Sequence, residues 1–258
     1  MICCAGSATS AEEGETAAGS PGAPRHESGA RQSAAARYSM KLTGMKSVDY
    51  RRDIMIREHL LGRGIRDPDV IRAMREVPRE AFVAEELAPF AYDDHPLDIA
   101  EGQTISQPFI VAYMTEALEL SATDRVLEIG TGSGYAAAVL SRIAASVYTI
   151  ERLEGLARAA RQRLEMLGYT NIHGHVGDGT CGWPDHAPYD AIVVTAGAPH
   201  VPKALCEQLA IGGRLVIPVG SSSYLQLLLR VRRIAEQDYR TEELCGVRFV
   251  PLIGVDGW

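Results

Sequence analysis

Three carboxylates, Glu128, Glu151 and Asp178, each lie inside or at the end of a short apolar run, and their surroundings point to cofactor chemistry. Val126-Leu127-Glu128-Ile129 leads straight into Gly130-Thr131-Gly132-Ser133-Gly134. An apolar run ending in glycine predicts a parallel strand covered on both faces, and alternating glycines let the backbone turn tightly and come close to a ligand. Such a turn is the address of a nucleotide-containing cofactor. The dinucleotide fingerprint needs glycine or a small residue where this chain has Tyr135, because helix and strand must pack closely beneath a pyrophosphate. The spacing favours a cofactor that lacks one. S-adenosylmethionine (SAM), with an amino-acid end and a ribose, meets that condition.

Val147-Tyr148-Thr149-Ile150-Glu151 reads as the next strand and ends in an acid about 20 residues past the first glycine, where a carboxylate accepts from ribose hydroxyls. His175-Val176-Gly177-Asp178-Gly179 closes a third strand and offers Asp178 to an adenine amino group. Glu128 lies within an apolar strand, so it needs a partner, either the cofactor's ammonium or backbone amides. Glu151 alone could be an exposed helix-capping acid and Asp178 a turn residue; together with Glu128 they converge beyond the carboxyl ends of the strands.

The elements that must position these residues alternate as a doubly wound sheet requires. Tyr189–Thr195 and Gly213–Val219 are the fourth and fifth strands, and Leu225–Arg232 and Val247–Ile253 supply two more. Ahead of the sheet, Tyr50–Leu87 is helical, with Asp67-Pro68 as a cap and first-turn signal and a short helix opening at Val77-Pro78-Arg79-Glu80. Ser106-Gln107-Pro108 turns into a helix through Ile110, Val111, Met114 and Leu118. Leu153, Leu156, Ala157, Ala160, Leu164 and Leu167 form one helical face, leaving Arg158, Arg161 and Arg163 to solvent.

With 258 residues and 46% hydrophobic content, the chain can bury one α/β core. Residues 1–39, rich in Ala, Gly and Ser, are expected to be a disordered extension, and 40–258 to form one domain. No stretch has the apolar length of a membrane span. Cys3, Cys4, Cys181, Cys206 and Cys245 are odd in number and form no Cys-x-x-Cys pair, which suits a reduced cytoplasm and argues against a metal site. The formal charge of −7 argues against nucleic acid as a partner, despite Arg230-x-Arg232-Arg233, and His173-x-His175 lacks a third ligand nearby.

Several segments resemble one family closely: Gly102-Gln103-Thr104-Ile105-Ser106-Gln107-Pro108, Val126 to Tyr135, Gly177-Asp178-Gly179 with Gly182-Trp183-Pro184, and Thr195-Ala196-Gly197-Ala198-Pro199. They are similar to the motifs of the protein-L-isoaspartate O-methyltransferases, as are Val77-Pro78-Arg79-Glu80 and Phe249-Val250-Pro251-Leu252. The likeness runs from about Met45 to about Gly254; Ala136, where bacterial members carry a larger polar residue, is a small departure. It implies a Rossmann-like, mostly parallel seven-stranded sheet behind N-terminal helices, with the order of the last two strands open. It also implies SAM-dependent methylation of the free α-carboxylate of isoaspartyl residues in damaged proteins, leading to a succinimide and repair. Ser106 becomes the catalytic residue, and Gln107, Pro108, Glu128, Gly130, Gly132, Glu151, Asp178 and Gly179 the cofactor-binding set. A monomer without membrane partners is expected. Against this stand methylation of another acceptor, a silent SAM-binding module, and a nicotinamide enzyme, the last opposed by Tyr135.

Overall fold

The computed structural model describes residues 48–222 and 225–258, so the Ala/Gly/Ser-rich extension over 1–39 lies outside the described residues. A seven-stranded sheet is built from β3 (Arg125–Ile129), β4 (Ser146–Glu151), β5 (Ile172–Val176), β6 (Tyr189–Val194), β7 (Leu209–Ser222), β8 (Leu225–Ala235) and β9 (Asp238–Val247), in the order β5-β4-β3-β6-β7-β8-β9. The pairs from β5 to β7 are parallel, and β7-β8 and β8-β9 are antiparallel. β3 is flanked by β4 on one side and β6 on the other, so the connections leave its carboxyl end in opposite directions. That reversal opens a crevice at the strand ends.

Strand periodicity explains why the sheet is covered on both faces. Val126, Val193 and Val216 pack on one side with Ile110, Met114, Ala137 and Leu140, while Leu127, Ile129, Ile192 and Leu215 pack on the other with Leu205 and Leu252. The helices are α1 (Pro68–Glu76), α2 (Pro108–Ala117), α3 (Tyr135–Ser141), α4 (Glu154–Met166) and α5 (Lys203–Glu207), with a π-helical turn at Met55–Leu60 before α1. Asp67 caps α1 as its sequence signals, accepting from Asp69 N at 2.8 Å and Val70 N at 3.1 Å.

Two expectations are corrected, and one element is added. The last strand is Asp238–Val247, not Val247–Ile253: β8 turns at Glu236-Gln237 and returns as an exposed edge strand, Ala235 pairing with Asp238. An edge strand needs no alternating apolar face, so its polar sequence hid it, while Pro251 meets the sheet only through one bridge to Gly197. A small hairpin, β1 (Leu97–Asp98) and β2 (Thr104–Ile105), precedes Ser106 and carries Glu101 at φ +58°. Arg163 is half-buried and donates to Ser133 O at 2.9 Å, so it supports the glycine turn instead of facing solvent.

The Arg230-x-Arg232-Arg233 run is also spent within the fold. Arg230 bonds Glu119 at 2.9 Å and Glu242 at 2.5 Å, Arg232 bonds Glu119, and Arg233 reaches the carbonyls of Glu207 and Leu209. Arg214 joins them: it donates to the Leu118 and Glu119 carbonyls at the end of α2 and to Asp124 at 2.8 Å, with both charged side chains 11% exposed. This docks the far end of the helix that starts at Pro108. Arg214→Met should therefore cost about 3 kcal/mol, because it strands a largely buried carboxylate and two helix-terminal carbonyls; a urea-denaturation loss below about 1 kcal/mol would contradict that account.

Candidate active site

β3 stops at Gly130 because its backbone turns left-handed there, at φ +98°, and a Cβ on that residue would lie 2.4 Å from Thr195 Oγ1. Only glycine satisfies both conditions. The turn that follows is held from the next strand. Gly130 N donates to Ile150 O at 2.8 Å, Gly132 N donates to Glu151 Oε2 at 2.9 Å, and Leu153 N donates to Glu151 Oε1 at 3.1 Å. Glu151 is buried and uses one oxygen on the turn and the other on the segment leading into α4. Each oxygen keeps a lone pair for a ligand hydroxyl.

Glu128 takes part in a different way. The alternation of β3 that sends Ile129 to the cavity sends residue 128 to the α3 face, among Val126, Ala137 and Leu140. There its Oε2 accepts from Thr149 Oγ1 at 2.6 Å, Thr149 and Thr131 hydroxyls lie 2.6 Å apart, and Oε1 has no partner. Burial pushes this carboxyl up to about 8, opposed by the Thr149 hydrogen bond and assisted by the Glu151 charge. Its main partner is the Thr149 hydroxyl, which links the strand to the turn at Thr131, with a smaller stabilising contribution from a backbone amide, as anticipated, at Ala137.

A cavity partly open to solvent occupies the crevice beyond the strands. Ser106, Gly130, Gly132, Glu151 and Gly179 all line it, with Tyr135, Thr195 and the Val250–Ile253 segment. Gly179 fits because a Cβ would lie 2.2 Å from Ile129 Cγ2. Asp178, Glu128, Gln107 and Pro108 are not among the lining residues. Asp178 Oδ1 accepts from Thr180 N at 2.9 Å and Thr180 Oγ1 at 2.7 Å, and its Oδ2 accepts from Val255 N at 2.8 Å. These bonds hold its carboxyl below the usual carboxylate range against the opposing effect of burial. They also fasten the Gly179 turn to the chain's last residues.

Ser106 lines the cavity directly after β2. Ile105 is buried, and the Ser106 carbonyl accepts from Arg79 Nη2 at 2.8 Å. Gln107 turns its side chain back to Asp94 O at 2.8 Å, and Pro108 is buried in the first turn of α2, so both support Ser106 from behind. His173 and His175 pack as rings instead of converging on an ion, with centroids 5.1 Å from Tyr148 and 4.9 Å from Trp183. Sequence reasoning gave no role to the Arg79 charge, to Thr195 as a wall, or to Tyr135 as a lining residue. The motif around Arg79 was visible, but its burial was not.

Comparison with known proteins decides the family. A family model described as protein-L-isoaspartate(D-aspartate) O-methyltransferase matches residues 51–257. The chain belongs to that family. A protein of Pelobacter propionicus named protein-L-isoaspartate O-methyltransferase 2 is 70% identical over 222 residues, covering 86% of this chain and 99% of its own. One of Geotalea uraniireducens is 71% identical over 219 residues, covering 85% and 100%. Among solved structures, a protein-L-isoaspartate O-methyltransferase superposes with a TM-score of 0.72 at 31% identity, covering 80% of this chain and 67% of that one. A Plasmodium falciparum protein solved with S-adenosyl-L-homocysteine gives 0.66 at 25% identity, covering 78% and 97%.

The Glu128 environment predicts a pH dependence. A carboxyl whose folded value lies near 8, above the ordinary 4.5, contributes stability that is fully present below pH 4.5 and lost as pH rises through 8. Glu128→Gln removes that titration. Its melting temperature relative to wild type should climb steadily from pH 5 to pH 8, corresponding to on the order of 1 kcal/mol per pH unit; parallel curves for the two proteins would show that Glu128 ionises normally.

Proposed function

We propose that two parts of the cavity divide the reaction: Ser106 and the backbone around it receive the free α-carboxylate of an isoaspartyl residue, and Glu151 receives the ribose hydroxyls of SAM. The chain is a SAM-dependent protein-L-isoaspartate(D-aspartate) O-methyltransferase. Its cavity fits the cofactor on physical grounds. One wall is a turn on which a Cβ at Gly130 would collide with Thr195, and a buried carboxylate, Glu151, lines the cavity with lone pairs free for a ligand. SAM supplies a methyl group on a positively charged sulfur. Gly130, Gly132, Gly179 and Glu151 would hold it, with Glu128 and Asp178 fixing the walls from behind.

The observation that carries this reading is what lines the cavity. Among the described residues, no His, Lys or Cys lines the cavity, and the one carboxylate that does, Glu151, is engaged by two backbone amides. Such a set has no strong general base to offer. A carboxylate acceptor needs none, because it is already ionised at neutral pH. The protein's contribution is then placement and exclusion of water, and orientation of bound reactants can be worth roughly 7 kcal/mol or more. Ser106 acts as a hydrogen-bonding guide for the acceptor and not as a nucleophile, since no histidine stands beside it in the cavity. Methylation turns the carboxylate into a methyl ester; attack by the neighbouring backbone nitrogen on its carbonyl displaces methoxide, which leaves as methanol with the nitrogen's proton, and closes the succinimide. Action as a monomer in the cytoplasm belongs to the same reading, the latter supported by free thiols at Cys181, Cys206 and Cys245.

The expected outcome with matched peptides is methylation of the isoaspartyl form and none of the aspartyl form, whose side-chain carboxylate is displaced by a methylene. Misplacement by about 1 Å costs on the order of 100-fold in rate. Ser106→Ala should slow methyl transfer while leaving SAM affinity near wild type. Equal methylation of both peptides would remove the isoaspartyl assignment, and full activity in Ser106→Ala would remove only the hydroxyl's role.

A further inference from the structure

Arg79 is fully buried and the largest of the side chains that are so. Its guanidinium makes no ion pair with a carboxylate among the described bonds. Nε donates to Ala91 O at 2.6 Å, Nη2 donates to Ser106 O at 2.8 Å, and Cζ lies 4.7 Å from the centre of the Tyr135 ring. Nη1 is buried with no partner, and Asp94 Oδ1 nearby is equally unpartnered, its other oxygen being taken by Arg63 at 2.7 Å. An apolar side chain would fill this volume without the cost of burying a charge. What a guanidinium provides instead is a rigid planar fork: two donors at a fixed angle and a flat face for an aromatic ring.

Those three contacts belong to three separate stretches of chain. Ala91 lies in the segment before the β1–β2 hairpin, Ser106 follows that hairpin, and Tyr135 opens α3 directly after the glycine turn. Ser106 and Tyr135 both line the cavity, whereas Arg79 does not. We infer that Arg79 is a positioning residue for methyl transfer: its guanidinium sets the distance between the Ser106 segment and the glycine turn, and so aims the acceptor carboxylate at the transferable methyl. The neighbouring Glu80 anchors the same short helix to the rest of the fold through Tyr92 and through Arg52 at 3.3 Å, so the fork has a fixed base. This rests on the reading of Ser106 as the acceptor end. It leaves the cofactor's own anchors untouched, because the bonds of Glu151 to Gly132 and Leu153 do not involve Arg79.

The test measures three quantities on wild type, Arg79→Lys and Arg79→Met: melting temperature, SAM affinity by calorimetry, and the single-turnover rate of methyl transfer to an isoaspartyl peptide per SAM-binding site. Lysine keeps the charge and can reach one carbonyl but cannot span two. The expected result is SAM affinity within about threefold of wild type in both variants. The transfer rate should fall about tenfold in Arg79→Lys and about 100-fold in Arg79→Met, the size of a positioning error near 1 Å. A wild-type rate per site in Arg79→Lys would overturn the inference. So would a parallel loss of rate and SAM affinity, or failure of both variants to fold, each of which marks a purely structural residue. Ser106→Ala, run alongside, separates the two readings: full activity there with a slowed Arg79→Lys keeps the backbone positioning and discards only the hydroxyl's part.

Discussion

One carboxylate holds the site together. Glu151 ends β4 beside the turn that ends β3, and its two oxygens take an amide from that turn and an amide from the chain entering α4. The glycines make the turn sterically possible but provide nothing to fix it, since a residue without a side chain has maximal freedom to lose. The bonds to Ile150 O and Glu151 supply that constraint from the neighbouring strand. The same carboxylate lines the cavity, so the group that fastens the turn is also presented to the cavity's interior. With Glu151 proposed to receive the ribose, cofactor affinity and turn geometry would be coupled through this residue.

The acceptor side is built by independent means. Its backbone is an antiparallel hairpin outside the main sheet, stabilised by two-residue pairing and by long side chains reaching in from elsewhere: Arg79 to Ser106 O, Gln107 to Asp94 O. At the other end of α2, Arg214, Arg230 and Arg232 gather on the last carbonyls and on Glu119. The helix that follows Ser106 is thus held at both ends by arginine and glutamine donors, not by apolar contacts alone. Aiming an acceptor that is already nucleophilic demands this kind of rigidity more than it demands a base.

Much of this was legible in the sequence because it rests on local rules. The glycine turn, the alternation of strands and helices, the cap at Asp67 and the family motifs around Ser106 all follow from short-range patterns, and the structure carries each of them. What was not legible depends on direction or on distant partners. Glu128 and Asp178 stand at the expected strand ends, but strand parity turns one toward α3 and a two-residue turn bends the other onto Thr180 and Val255. β9 is polar because it is an edge, and an edge strand leaves no period in the sequence to find. Arg79 had only a place in a helix-start motif; the packed fold shows its guanidinium enclosed between two loops and an aromatic ring.

The coupling at Glu151 is the claim most directly open to measurement. Titrating SAM into Glu151→Ala by calorimetry, with circular dichroism to confirm the fold, removes both the ribose acceptor and the fastening of Gly132 at once. Loss of a charged hydrogen-bonding partner predicts weaker binding by about 1.5–3 kcal/mol, roughly 10- to 100-fold in Kd. Unchanged affinity in the folded variant would contradict the account, showing that the turn keeps its shape without this carboxylate and that SAM does not use it.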